Sequence, residues 1–338
     1  MRASQEKTGF LKAYGAFASG RLTLHACDLE QEGAFDEVFV GCHGVVHTGA
    51  QLGRKNPQAK RADQYVDTAA HMVDSINKSG TVSRLIYTSS IAAVISEVDT
   101  QQLVQRPVLY EDRYPDETND ARFESLESTG YSVGKVASER FFAAAAEEAG
   151  GTWDAITCNP SDNVGPIQSK HHKESGPWQH NIETMLWRTE SHPDGWEQNA
   201  GFRPWMVVDV RDDAECHVRL LESTAVKNGE RYIAWSTDTP NVEEIARLAS
   251  SLLPEAGIKI GPGPLLQGNP TLGGAPDPAQ EAELRAIWAG CQLRNDRMIA
   301  ATGVTFRPLE ESVRDCVESL MSIGEVEPER TDEFKARL

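Results

Sequence analysis

Short apolar runs alternating with longer segments of helical period leave this chain few folds to adopt. The runs at 22–27, 44–48, 84–89 and 153–158 read as strands. Between them the spacing predicts a short helix over 32–40, with Phe35, Val38 and Phe39 on one side. It also predicts a longer helix over about 59–79 stopped by Gly80, and an alanine-rich helix over 131–149 stopped by Gly150 and Gly151. Strands that alternate with helices are joined by crossovers, so the sheet they form is parallel and covered by helices. The expected class is therefore α/β with a doubly wound parallel sheet. At 338 residues the chain can hold one large α/β domain, or a nucleotide domain with a smaller substrate region.

Beyond residue 165 the pattern loosens. Residues 166–205 carry Gly, Pro, His and four Trp with weak periodicity and read as a substrate-side excursion. A strand running into a helix is expected over 204–212, a strand over 231–235 and a helix over 243–253. The Gly/Pro-rich stretch 261–279 reads as a loop. Leu309, Val313, Cys316, Val317, Leu320 and Met321 form a helical apolar stripe that reads as core. The division expected is 1–165 and 166–338, with core elements returning at about 205–235. Trp178, Trp187, Trp196 and Trp205 could line an aromatic pocket, but packing between the two parts is the stronger reading.

Chemistry concentrates at Tyr131 and Lys135. Four residues apart on a helix, the phenol and the ammonium point the same way. A free Tyr titrates at about 10, too high for acid–base work near neutrality, and a fixed ammonium beside it favours the phenolate. Such a pair can pass a proton to or from a carbonyl or alcohol oxygen. Tyr-x-x-x-Lys alone is a weak signal, met by chance in many helices. Its setting strengthens it. Ser89 and Ser90 end a buried strand about 40 residues upstream, where open α/β sheets bind ligands, and the next strand ends at Asn159 and Pro160.

Ser90 after its strand, Tyr131 with Lys135, the stretch 160–166, residues 20–48 with Asp28 and Leu29, 207–212 and 303–320 together resemble the extended short-chain dehydrogenase/reductases. Within that family they are most similar to dihydroflavonol, cinnamoyl-CoA and related aldehyde reductases. The resemblance spans nearly the whole chain and implies a Rossmann-like fold. It also implies an NADP-dependent oxidoreductase that reduces an aldehyde or ketone to an alcohol. Tyr131 would be the general acid/base. Lys135 would lower its pKa and hold the nicotinamide ribose, and Ser90, rather than Ser89, would position the substrate carbonyl. Asp28 and Leu29 would flank the adenine, while Thr48, Gly49 and Ala50 would line the cofactor after their strand. The turn 159–166 would lie by the carboxamide, with Pro160 and Val164 as contacts. Arg2 resembles the arginine that pairs with the 2′-phosphate in this subgroup; a guanidinium grips phosphate through two hydrogen bonds, so NADP is expected over NAD. Its bland alternative is a terminal charge without a partner. Dimerisation through the Lys135 helix is a family-level expectation.

One element of the family pattern is missing. A Rossmann unit opens with a strand, a glycine-rich turn and a helix whose N-terminus binds pyrophosphate, and no such glycine motif precedes Asp28. The sheet is thus expected to be incomplete at the N-terminus, from a shortened sequence or a divergent product, with 22–27 unpaired toward Val45 and Val46, apolar faces exposed and activity weak. Two other readings stand beside the reductase: a nucleotide-sugar epimerase or dehydratase, which shares the Ser, Tyr and Lys, and a catalytically silent binding protein.

The remaining features narrow the field. A net charge of -18 argues against nucleic-acid and anionic-membrane partners. The six cysteines follow no metal-ligand spacing, and His171, His172, His180 and Glu174 lack it too, so no metal is expected. There is no apolar run of about 18 residues and no signal-peptide core, which points to a cytoplasmic protein. The substrate itself cannot be read beyond a carbonyl compound.

Overall fold

A computed structural model describes residues 8–49, 60–95, 108–109, 121–169, 182, 202, 204–238, 240–251 and 278–323. Its centre is a four-stranded, wholly parallel sheet built from β1 (Gly44–His47), β2 (Arg84–Thr88), β3 (Asp154–Pro160) and β6 (Arg231–Ala234), in the order β1-β2-β3-β6. A smaller parallel pair, β4 (Asp162–Val164) and β5 (Val207–Asp209), lies in a separate sheet. Besides a single helical turn at Gly15–Ala18, the helices are α1 (Ala62–Ser79), α2 (Tyr131–Glu148), α3 (Val210–Glu222), α4 (Val242–Ser251), α5 (Pro278–Ala289), α6 (Asp296–Thr302) and α7 (Leu309–Ser322).

The sequence dictates these elements locally. In β2, Leu85, Ile86 and Tyr87 are all buried, as expected of a parallel strand covered on both faces. Leu85 and Tyr87 join the cluster under α1 and α2, whereas Ile86 joins Cys216 and Leu220 of α3 and Met298 of α6 on the other face. In α1, Tyr65, Ala69, Met72 and Ile76 recur at helical spacing and are buried. The helix stops where Gly80 turns left-handed at φ 60°. The stripe from Leu309 to Leu320 on α7 is buried against α4. No described helix is long and apolar enough to cross a membrane.

Three expectations are corrected. Residues 22–27 form no strand, because a strand needs a neighbour to take up its N–H and C=O groups and none pairs with them among the described residues. Residues 32–40 form consecutive turns, with Phe39 N–H on the Phe35 carbonyl at 2.9 Å. Phe39 is buried as expected, and the segment is pinned to α1 through Asp36, which accepts from Ser75 Oγ at 2.6 Å and Lys78 Nζ at 2.9 Å. The end of 261–279 belongs to α5, which starts at Pro278, a residue suited to a first helical turn; residues 261–277 lie outside the described residues.

The edge of β1 carries the consequence of the first correction. Among the described residues β1 pairs with β2 alone, and Val46 is 38% exposed and Leu24 37%. On β1, the apolar Val46 side chain is therefore partly in water.

Candidate active site

The strands β1, β2 and β3 run parallel, so their C-terminal ends lie together and gather the polar side chains. Tyr131 opens α2. Gly130 before it sits at φ 143°, a region L side chains rarely adopt, and this lets the chain turn straight into the helix. One turn on, Lys135 is 2% exposed. Its Nζ donates to the Thr88 carbonyl at 2.8 Å, 5.0 Å from the Tyr87 ring centre and 5.7 Å from that of Tyr131. Burial depresses its pKa to about 8, opposed by the charge of Glu139. The ammonium therefore persists at neutral pH.

Ser90, two residues past Thr88, is half-buried and caps the short turn Ile91–Ala93, its Oγ accepting the Ala92 N–H at 3.2 Å. Ser89 is buried at 3%, and among the described residues its Oγ has no hydrogen-bond partner. At the end of β1, His47 is also buried, stacked on Tyr87 at 5.6 Å between ring centres. Burial, with a smaller effect of Lys135, lowers its pKa to about 4, so it is neutral.

The other residues expected at the site divide into three groups. Leu29 reaches the end of β1: its Cδ1 would lie 2.9 Å from a Cβ at Gly49. Asp28 precedes it on the surface, and the Glu30 backbone N–H holds its carboxyl below the usual range. Thr48 is exposed beside Gly49. Pro160 ends β3, where its register partner is Ala234 of β6. The Val164 side chain is fully buried in the cluster of α4 and α7, so packing claims it and only its backbone remains for a ligand. Arg2 and Ala50 lie outside the described residues, as do His171, His172, His180, Glu174, Trp178, Trp187 and Trp196. Trp205 packs in the same cluster as Val164 and donates its indole N–H to Asp162 at 2.8 Å.

Two buried polar groups escaped the sequence reading. Around Ser90, Asn159 Nδ2 donates to the Ser90 carbonyl at 3.1 Å and to Glu139 Oε1 at 2.7 Å, and Arg231 Nε donates to Glu139 Oε2 at 2.7 Å. On the α3 side of the sheet, ligand atoms of Cys158, Asp213 and His217 come within 4.8 Å of one another. There the imidazole bridges the Asp213 carbonyl and Thr88 Oγ1, each at 2.7 Å, so both ring nitrogens are engaged within the fold. Each group had a signal in the sequence. Glu139 continues the 131–135 helix face, and Asp213 and His217 stand in the stripe that leads to Leu220.

His217 has a pH consequence. Burial alone would lower its pKa, but hydrogen bonding and charge from Asp213 outweigh that and raise it above 6.5. A raised folded pKa gives stability that is present below the unfolded value and lost as pH rises through the folded one. Wild type should therefore exceed His217→Gln in urea midpoint by more at about pH 5.5 than at about pH 8. An equal or larger gap at the higher pH contradicts the assignment.

Residues 2–234 match the model of the NAD dependent epimerase/dehydratase family. A cinnamoyl-CoA reductase of Medicago truncatula is 26% identical over 307 residues, covering 90% of this chain and 81% of that protein. A dihydroflavonol 4-reductase of Callistephus chinensis is 28% identical over 240 residues, 70% of this chain and 60% of that protein. Among solved structures, yeast methylglyoxal/isovaleraldehyde reductase complexed with NADPH superposes with a TM-score of 0.63 at 20% identity, covering 96% of this chain and 91% of that one. At that identity the superposition speaks for the fold.

Proposed function

The chain belongs to the NAD dependent epimerase/dehydratase family, and from that premise we propose that it is an NADP-dependent oxidoreductase reducing an aldehyde or ketone through Ser90, Tyr131 and Lys135. The observation that carries this reading is the buried Lys135 ammonium, one turn after Tyr131 and hydrogen-bonded to the end of β2. Burying an ammonium costs several kcal/mol. A fold that retains one beside a phenol, at the strand ends where α/β sheets bind ligands, is using it. The two relatives are both reductases by name, which favours this reading over an epimerase or dehydratase.

The residues fit the nicotinamide end of the cofactor. Lys135 would hold the ribose hydroxyls, with Thr48 and Gly49 lining the path and Asp28 and Leu29 flanking the adenine. The backbone at Pro160 and Val164 would face the carboxamide. Two buried atoms without a hydrogen-bond partner among the described residues, Ser89 Oγ and Asn159 Oδ1, border the same strand ends. Among the described residues none forms the glycine-rich turn that cradles a pyrophosphate, so the fit covers groups at the two ends of the cofactor and not the phosphates between them. The bound cofactor supplies the hydride.

The chain's own groups manage the substrate oxygen. The Ser90 Oγ already accepts from Ala92, and its own proton remains to donate to the carbonyl. Tyr131 gives its phenolic proton to that oxygen as the alcohol forms. Lys135 stabilises the phenolate left behind. Trp205 and its cluster would belong to the substrate side of the chain.

A fluorescence titration tests the cofactor. NADPH should bind more tightly than NADH, and Arg2→Ala should weaken NADPH by roughly tenfold or more, the worth of a charge-assisted pair, without weakening NADH. Equal affinity for the two would remove the preference for NADP. A folded chain that binds neither would turn the reading to a silent binding protein.

A further inference from the structure

We propose that Glu139 is a positioning residue of this site, its carboxylate tying the Ser90 loop to the helix that carries Tyr131 and Lys135. The inference rests on the reductase reading and assigns a role that Ser90, Tyr131 and Lys135 do not fill.

The geometry is a two-armed brace. One carboxylate oxygen accepts Asn159 Nδ2, which also reaches the Ser90 carbonyl. The other accepts Arg231 Nε, while Arg231 Nη2 reaches the Ala93 carbonyl at 2.8 Å. Ser90 and Ala93 bound the turn that presents the serine hydroxyl, so both ends of that turn are held through one carboxylate on α2. The Glu139 and Arg231 side chains are 1% and 5% exposed, and Asn159 is fully buried. A hydrogen-bonded network closed off from water holds its members in one arrangement, which a catalytic serine requires.

Glu139 also sets the charge beside the lysine. Tyr131 and Glu139 face Lys135 from its own helix, Tyr87 from β2 and His47 from β1, with Arg231 of β6 behind Glu139. Burial keeps Tyr87 protonated and His47 neutral in the range where Lys135 titrates. That leaves the Glu139 carboxylate, joined by the Tyr131 phenolate whenever it forms, to favour the ammonium. Packing alone would not demand a charge at position 139; the buried Arg231 guanidinium and the lysine both do.

Glu139→Gln strands the buried Arg231 charge and can fail to fold, so the decisive variant is Glu139→Met with Arg231→Leu, which replaces the pair by apolar groups of similar volume. The first readout needs no cofactor: the Lys135 Cε resonance in ¹³C-lysine-labelled protein, assigned by its loss in Lys135→Arg, followed through pH. Its midpoint should fall by about one unit in the double variant. In carbonyl reduction the alkaline limb should move to lower pH by a similar amount, with kcat reduced roughly tenfold or more and the KM for NADPH changed less. A folded double variant whose Lys135 titrates as in wild type, with an unchanged pH profile, overturns the proposal. If wild type reduces no carbonyl compound, the reductase reading fails, while the Lys135 titration still decides whether Glu139 governs the lysine.

Discussion

Tyr131→Phe should lower turnover of a carbonyl substrate by about 10²–10⁴-fold, the usual worth of a positioned proton donor, while NADPH affinity and thermal midpoint stay close to wild type. The substitution removes one oxygen and keeps the ring. That ring stands 5.7 Å from Lys135 Nζ, and the ammonium is anchored independently on the Thr88 carbonyl. The lysine should therefore keep its place, its charge and its hold on the cofactor when the hydroxyl is gone. The loss should appear in kcat and kcat/KM equally, as for a group that acts in the transition state alone. Single-turnover reduction followed by NADPH absorbance separates the chemical step from product release. A variant retaining a third of wild-type turnover would remove Tyr131 from the mechanism. Lys135→Met makes the contrasting case, since it removes both the charge that favours the phenolate and the proposed cofactor contact, so affinity and turnover should fall together.

Much of this site was legible in the sequence because its signal is local. Tyr131 and Lys135 share a face by helix geometry alone, and the strand carrying Leu85, Ile86 and Tyr87 announces itself by an unbroken apolar run ending in Thr88, Ser89 and Ser90. What stayed hidden depends on neighbours distant in the chain. The Glu139–Arg231 pair joins residues 92 apart, and a charged pair reads as solvent-facing until the partner is known. Residues 22–27 have strand composition, but composition cannot supply the adjacent strand that would satisfy their backbone. Residues 32–40 carry the apolar spacing of a helix, yet Asp36 is claimed by Ser75 and Lys78 of α1 and the segment folds as turns around that anchor. The burial of the Val164 side chain likewise comes from α4 and α7, far along the chain.

Gly134 connects the scaffold to the chemistry, and Gly134→Ala should cost about 1–3 kcal/mol of stability even though alanine is the better helix former. A Cβ there would lie 2.3 Å from Tyr65 Cδ2, 2.4 Å from Cε2 and 2.6 Å from Cγ. These atoms belong to the near edge of a ring that is 5% exposed and wedged between α1 and α2, so it cannot swing aside as a flexible chain end could. Alanine instead forces the two helices apart. A propensity gain of up to about 1 kcal/mol is smaller than that strain. The cause is isolated by a double-mutant cycle read from urea midpoints. In a Tyr65→Leu background the ring is gone, so Gly134→Ala should become neutral or stabilising although Tyr65→Leu itself costs core packing. The same penalty in both backgrounds, within about 0.5 kcal/mol, would show that the ring is not the obstacle. Activity should follow the same pattern. Gly134 lies between Tyr131 and Lys135, so a helix displaced by the added methyl moves both groups away from Ser90 just past β2, and removing the ring that opposes the methyl should restore turnover along with stability.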